Sequence, residues 1–268
     1  MGIKDKWKVD NLVLDSRLLV GTGRFENALK AKQSIEISQT NMITVAVRRM
    51  TSSTPNNSLW TLLEQLNHRK LWILPNTAGS KTADEAIRLA FLGREMMQNL
   101  GQFDNNFLKL EVIADAKYLM PDPIGTIKAA DYLIKKGFRV FPYMNADPSL
   151  GSHLEELGCV TLMPLGSAIG SNQGIKSLEN LRIIIKESKI PVIVDAGIGK
   201  PSDASKAMEL GASAVLINTA IAGCKRPELM AESMRLAVLA GRLAYLAKDE
   251  SITIKKGGAS SPKIGLPF

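Results

Sequence analysis

Short apolar runs alternate along this chain with longer stretches in which apolar positions recur every three or four residues. The runs Arg17–Val20, Met42–Val47, Leu71–Leu74, Phe107–Ile113, Arg139–Pro142, Val160–Met163, Pro191–Asp195 and Ala214–Asn218 read as strands. Several are apolar on both faces, the pattern of parallel strands covered by helices. Between them lie helical stripes. Ala28, Ala31 and Ile35 share one face, as do Leu178, Leu181 and Ile185. Leu229, Leu236, Leu239, Leu243 and Leu246 mark a long last helix, and the stripe predicts their burial against the core.

Boundary signals agree with this division. Thr82-Ala83-Asp84-Glu85 has the form of a capping box. Gly137, Gly158 and Gly211 each end a helical run and precede a strand, where a left-handed residue without Cβ is favoured. Strand and helix alternate about eight times without a linker, which predicts a (β/α)8 TIM barrel forming a single domain over 1–268. A short N-terminal extension precedes it, and a Gly/Ser/Pro-rich tail from about Lys255 is expected to be flexible. A doubly wound open sheet is the runner-up. Against it, Gly21-Thr22-Gly23 is only a fragment of a dinucleotide fingerprint.

Composition narrows the picture. Of 268 residues 45% are apolar and 22% charged, so whole-chain disorder and fibrous repeats are excluded. The net charge of +8 favours anionic partners without choosing one. Basic residues are dispersed and aromatics make up only 5%, which argues against nucleic-acid binding. No apolar run is long enough to span a membrane, and the N-terminus lacks an apolar signal core. Cys159 and Cys224 are expected to be buried, reduced thiols, and His68 and His153 to be solvated. With no convergent Cys/His/Asp cluster, neither a metal nor another cofactor is expected.

In a TIM barrel the chemistry sits at the C-terminal ends of the strands. Arg48 and Arg49, Asn76 and Thr77, Asp195 and Asn218 occupy such ends. In Phe107-Leu108-Lys109-Leu110-Glu111-Val112-Ile113, alternation puts Lys109 and Glu111 on the inner face and Leu108, Leu110 and Val112 against the helices. One reading is a plain ion pair. The other is that burial and neighbouring cations hold Lys109 partly neutral, so that its amine attacks a carbonyl to form an imine while Glu111 moves protons. Asp195 ends a strand ahead of Ala196-Gly197-Ile198-Gly199, either as a local cap or as part of an anion-binding turn. The small-residue loop Gly166–Gly174 is either a plain connection or one that covers a ligand or binds phosphate oxygens, and Asn218 and Thr219, with the loop after strand seven, occupy the usual phosphate position of the barrel.

At these residues the chain resembles the thiazole synthase family of thiamine biosynthesis. The similarity runs through SRLLVGTG (Ser16–Gly23), TVAVRR (Thr44–Arg49), LPNTAG (Leu74–Gly79), KLEV (Lys109–Val112) and YLMPDP (Tyr118–Pro123). It continues through MPLGSAIGSNQGI (Met163–Ile175), PVIVDAGIG (Pro191–Gly199) and VLINTAIA (Val215–Ala222), and covers about Asn11 to Pro262. The resemblance implies a homo-oligomeric barrel, expected as a tetramer. It also implies that Lys109 forms an imine with 1-deoxy-D-xylulose 5-phosphate, with Glu111 and Asp195 as the acid–base pair. Gly170, Ala196, Gly197, Asn218 and Thr219 become substrate contacts. Sulfur is expected from a thiocarboxylated sulfur-carrier protein. Carbon and nitrogen are expected from dehydroglycine, supplied by a separate dehydroglycine-producing enzyme. A cytoplasmic location is implied, or the plastid stroma for an organelle-encoded chain.

Two segments depart from the family pattern: the turn Tyr143-Met144-Asn145-Ala146-Asp147, and the tail Gly258-Ala259-Ser260-Ser261-Pro262-Lys263. An aldolase-like lyase acting on a sugar phosphate through the same lysine is the alternative enzyme. A basic nucleic-acid-binding protein is the non-enzymatic one.

Overall fold

The computed structural model describes residues 5–50, 62, 63, 66, 71–115 and 117–247. His68 and the C-terminal tail fall outside them. A hairpin of β1 (Trp7–Val9) and β2 (Leu12–Leu14) precedes eight parallel strands: β3 (Leu18–Gly21), β4 (Met42–Ala46), β5 (Trp72–Asn76), β6 (Phe107–Leu110), β7 (Arg139–Met144), β8 (Met163–Pro164), β9 (Ile193–Asp195) and β10 (Ala214–Ile217). Neighbouring strands pair in the order β8-β7-β6-β5-β4-β3-β10-β9. Parallel bridges from Leu162 to Val192 and from Leu165 to Asp195 then join the two ends of that order. The sheet is therefore a closed (β/α)8 barrel, and the open-sheet alternative fails because its two edges are paired.

Helices lie between the strands: α1 (Ala28–Ser38), α2 (Val47–Met50), α3 (Ala83–Asn99), α4 (Pro123–Lys135), α5 (Pro148–Glu156), α6 (Leu178–Glu187), α7 (Pro201–Glu209), α8 (Thr219–Ala222) and α9 (Pro227–Leu246). Gly137, Gly158 and Gly211 have φ of 78°, 99° and 101°, the left-handed stops that the sequence predicts. At α3 the capping box is half formed. Thr82 accepts from the Glu85 N–H at 3.2 Å, but the Glu85 carboxylate takes the Lys81 N–H instead.

Alternation along the strands builds two apolar layers. Outward residues such as Val20, Val45, Leu108, Val140, Val194 and Val215 pack under the helices. Inward residues Leu19, Met42, Leu74, Phe107, Phe141, Met163, Ile193 and Leu216 fill the barrel. The hairpin closes the bottom of that interior with Trp7, Val9 and Leu14. Asp5 pins this plug, since its carboxylate takes the Arg17 guanidinium at 2.8 Å and that of Arg242 at 2.6 Å.

The short N-terminal extension forms a structured plug, built from the short alternation Trp7-Lys8-Val9 and a turn at Asp10, whose φ is 52°. Two expectations change. The strand expected over Val160–Met163 is reduced to Met163–Pro164 with bridges on either side. The α9 leucines expected in the core all face outward, Leu229, Leu236, Leu239, Leu243 and Leu246 being 38–52% exposed. The helix turns its small face inward instead, burying Ala231, Met234, Val238 and Gly241. A Cβ on Gly241 would lie 2.4 Å from the Ser205 carbonyl oxygen, an approach that leucine side chains would prevent.

Candidate active site

Three charged side chains stand on the inner wall near the C-terminal ends of the strands. Lys109 and Glu111 share a face, as their spacing predicts, and Asp195 joins them from β9 across the barrel. All three are at most 5% exposed. Lys109 Nζ lies 2.5 Å from Asp195 Oδ2 and 3.2 Å from Glu111 Oε1. Among the described residues the ammonium is the only partner of that Asp195 oxygen. The other, Oδ1, accepts the Ala196 N–H at 2.7 Å, so the aspartate is both a local cap and a partner of the lysine.

Neighbouring elements hold the geometry. Asn76, at the end of β5 and in register with Lys109, donates to Glu111 Oε1 at 2.9 Å. Thr77 accepts the Glu111 N–H at 2.8 Å through its hydroxyl and donates to the Glu111 carbonyl at 2.9 Å. The sequence marks Asn76 and Thr77 only as strand-end residues. Their bonds clamp the segment just past β6 and aim one carboxylate oxygen at the lysine. Tyr143, expected in a turn, belongs to β7. It is fully buried, with its ring centroid 5.7 Å from Lys109 Nζ and its hydroxyl without a hydrogen-bond partner among the described residues. Burial, then the Asp195 and Glu111 charges, raise its pKa.

The electrostatics correct one expectation. Burial alone would lower the Lys109 pKa, but Asp195 and then Glu111 outweigh it and raise the value above that of an ordinary lysine. The resting side chain is an ammonium between two carboxylates, and no cation among the described residues holds it neutral. Burial is also the largest influence on Asp195 and raises its pKa, against the opposing pull of Lys109. A raised carboxyl pKa 2.5 Å from the ammonium gives the lysine proton a nearby acceptor.

These groups form the inner end of a cavity of about 220 Å³. Its wall also includes Gly170, Ala196, Gly197, Asn218 and Thr219, so every residue singled out from the sequence as catalytic or substrate-binding meets in one space. The loop after β8 is tied down: the Gly166 N–H donates to the Asp195 carbonyl at 2.9 Å and the Gly174 N–H to the Gly197 carbonyl at 2.8 Å. Gly197 is required there. Its φ is 78°, and a Cβ would fall 2.0 Å from Ser167 Oγ.

Elsewhere, His153 is exposed as expected. Cys159 is buried and its thiol is pushed up to about 12, whereas Cys224 is only half-buried and donates to the Ala220 carbonyl at 3.1 Å. Among the described residues no group of three or more His, Cys, Asp or Glu side chains is placed to hold a metal ion, and no helix is long and apolar enough to cross a membrane.

Residues 8–262 match the family model described as "Thiazole biosynthesis protein ThiG". The chain belongs to the thiazole synthase family. The thiazole synthase of Porphyra purpurea is 55% identical over 262 residues, covering 98% of this chain and 94% of its own. That of Phaeodactylum tricornutum is 58% identical over 243 residues, covering 91% and 90%. Among solved structures, the Amycolatopsis orientalis BexX/CysO complex superposes with a TM-score of 0.76 at 29% identity, over 92% of this chain and 97% of that one. Family membership makes this an enzyme of thiazole formation in thiamine biosynthesis.

Proposed function

We propose that the chain condenses 1-deoxy-D-xylulose 5-phosphate, dehydroglycine and carrier-borne sulfur into thiazole phosphate carboxylate, starting from an imine on Lys109. The observation that carries this reading is the contact of Lys109 with Asp195 and Glu111 at the closed end of the cavity. An amine must lose its proton before it attacks, and Asp195 is 2.5 Å away with an oxygen that has no other partner among the described residues.

Asp195 takes the ammonium proton, and the amine nitrogen bonds to the ketone carbon. The carbonyl oxygen leaves as water, its protons supplied by the acid pair and the amine. The protonated imine then serves as the electron sink. One carboxylate removes the proton from the neighbouring hydroxyl-bearing carbon, and that electron pair moves into the new carbon–carbon double bond as the imine double bond closes onto nitrogen. Return of a proton to the former imine carbon and loss of the hydroxyl proton move the carbonyl one position along the chain. Two carboxylates flanking one nitrogen can serve these transfers in turn.

Sulfur then comes from the C-terminal thiocarboxylate of a small carrier protein. A protein partner is supported by the solved BexX structure, which was determined as a complex with a second protein, CysO. The carrier keeps the displaced ketone oxygen and leaves as a carboxylate, and loss of the next hydroxyl as water restores the imine on Lys109. The new thiol then adds to dehydroglycine, from its own producing enzyme, and the resulting amine displaces the Lys109 nitrogen from carbon as the ring closes. The working form is proposed as a homo-oligomer, a tetramer, in the cytoplasm or a plastid stroma.

Borohydride reduction in the presence of 1-deoxy-D-xylulose 5-phosphate is expected to fix an adduct on the peptide containing Lys109, and Lys109→Ala to abolish it. An adduct at full yield in that variant would remove the assignment. A thiocarboxylated carrier that delivers no sulfur to a trapping-competent enzyme would favour the aldolase-like reading instead.

A further inference from the structure

The inner end of the cavity is a poor place for an anion. The Lys109 charge is matched there by two carboxylates, which leaves negative charge in excess. The only other cation among the described lining residues is Arg49, exposed at the mouth. Its side chain starts after β4 and crosses back over the end of β3. Nη1 and Nη2 lie 3.2 and 3.5 Å from the point where a Cβ on Gly23 would stand. The Asn218 amide, at the end of β10, comes within 2.9 Å of the same point. Oriented so that its nitrogen donates to the Gly21 carbonyl at 3.2 Å and the Gly23 carbonyl at 2.7 Å, that amide is fixed. Glycine at 23 therefore lets a guanidinium and the β10 terminus approach each other.

Its neighbour Arg48 turns the other way. The Arg48 stem packs at Gly79, its Nη2 reaches Glu85 at 3.1 Å, and it lines no part of the cavity. The two consecutive arginines thus divide into one facing α3 and one facing the substrate space.

We propose that Arg49 recognises the phosphate of the ketose and is a specificity-determining residue for phosphorylated over free sugar. A planar guanidinium can offer paired N–H donors to phosphate oxygens. Beside Gly23 and Asn218 it holds the phosphate at the mouth, away from the carboxylates, while the ketone reaches Lys109. The inference rests on the imine reading above.

The test uses the full chain and borohydride trapping over a range of ketose concentrations, with 1-deoxy-D-xylulose 5-phosphate and the unphosphorylated 1-deoxy-D-xylulose as the two arms. Arg49→Gln is expected to raise the half-trapping concentration of the phosphorylated ketose by at least about tenfold and that of the free sugar by less than about twofold. Arg49→Lys should recover part of the loss. Arg48→Gln removes the same charge one residue away and should change neither arm by more than about twofold. Inorganic phosphate should compete with trapping in the wild type and lose that effect in Arg49→Gln. An unchanged phosphorylated arm in Arg49→Gln, an equal loss in both arms, or an equal loss in Arg48→Gln would each overturn the role of Arg49 while wild-type trapping stands. No adduct on the wild-type protein would overturn the imine reading itself, and this inference with it.

Discussion

The ammonium of Lys109 and the carboxylate of Asp195 meet at 2.5 Å, though the two residues come from strands that are not neighbours in the barrel. With Glu111 they form a buried cluster carrying one positive charge and two negative ones. Burial and mutual attraction oppose each other there. For the lysine attraction wins, and for Asp195 burial wins.

A consequence is a pH-dependent cost of removing the lysine. In Lys109→Met the two carboxylates face each other without a counter-charge. Losing the Lys109 contribution, which lowers the Asp195 pKa, leaves burial to raise it further. A carboxyl whose folded-state pKa exceeds its unfolded value stabilises the fold at low pH, and that stability is lost as pH rises from about 4 through the folded value. The wild type keeps Lys109 charged in both states across this range, since its pKa is raised from 10.5. Urea denaturation should show the variant about 3–5 kcal/mol less stable at neutral pH. The gap to wild type should narrow by roughly 1–3 kcal/mol at pH 5. An equal gap at pH 5 and pH 8 would show that Asp195 takes up no proton when the lysine is gone.

The acid–base assignment is tested by separating imine formation from proton movement. In Asp195→Asn and Glu111→Gln the lysine remains and the cavity keeps its shape. Borohydride adducts should still form on Lys109, at the wild-type rate in Glu111→Gln and more slowly in Asp195→Asn, which lacks the acceptor for the ammonium proton. Exchange of the substrate C–H with deuterated water, followed by NMR, should slow by about 10²–10⁴-fold, the usual contribution of a positioned acid or base. Wild-type exchange rates in both variants would take the carboxylates out of the mechanism.

Much of this arrangement is legible in the sequence, because it follows from strand alternation. Phe107-Leu108-Lys109-Leu110-Glu111 places two charges inside the barrel through a period of two residues, and the structure keeps that register. What the sequence does not convey is the protonation of Lys109. That depends on Asp195, which β9 brings alongside only when the barrel closes. The α9 leucines fail for a related reason. Their period specifies a stripe, but the inner side of the helix is chosen by how closely it can approach α7, and small residues win that competition. The N-terminal plug was hidden because its strands are only three residues each, too short for alternation to stand out.

Glycine 197 gives a prediction about the loop floor. Its φ of 78° and the 2.0 Å approach of Ser167 Oγ to a built Cβ impose two separate penalties, backbone strain and collision with the preceding loop. Gly101 has nearly the same φ, 79°, with nothing within 4 Å, so Gly101→Ala carries the strain alone. Gly101→Ala should cost about 1 kcal/mol. Gly197→Ala should cost a further 1–3 kcal/mol, roughly, from overpacking, read by urea denaturation. It should also weaken ketose trapping, because Ala196 and Gly197 line the cavity. Equal costs for the two would mean that the loop after β8 moves away freely.

The outward leucines of α9 bear on assembly. Leu236, Leu239, Leu243 and Leu246 form a continuous apolar row, each 38–49% exposed. A cleft of about 340 Å³ beside them is lined by Leu239, Leu243, Leu246 and the Asp5, Arg17 and Arg242 cluster. If copies of this chain meet through that row, Leu239→Asp with Leu243→Asp should shift the sedimentation coefficient to that of a single chain of 29.1 kDa. Because these side chains add little to the core of one chain, the dissociated variant should keep its far-UV spectrum and still be trapped on Lys109. Burying several leucines contributes about 1.5–3 kcal/mol each, so two aspartates in the row would remove much of what holds such a contact. A double variant that sediments like the wild type would place the contact elsewhere or show that the chain does not self-associate.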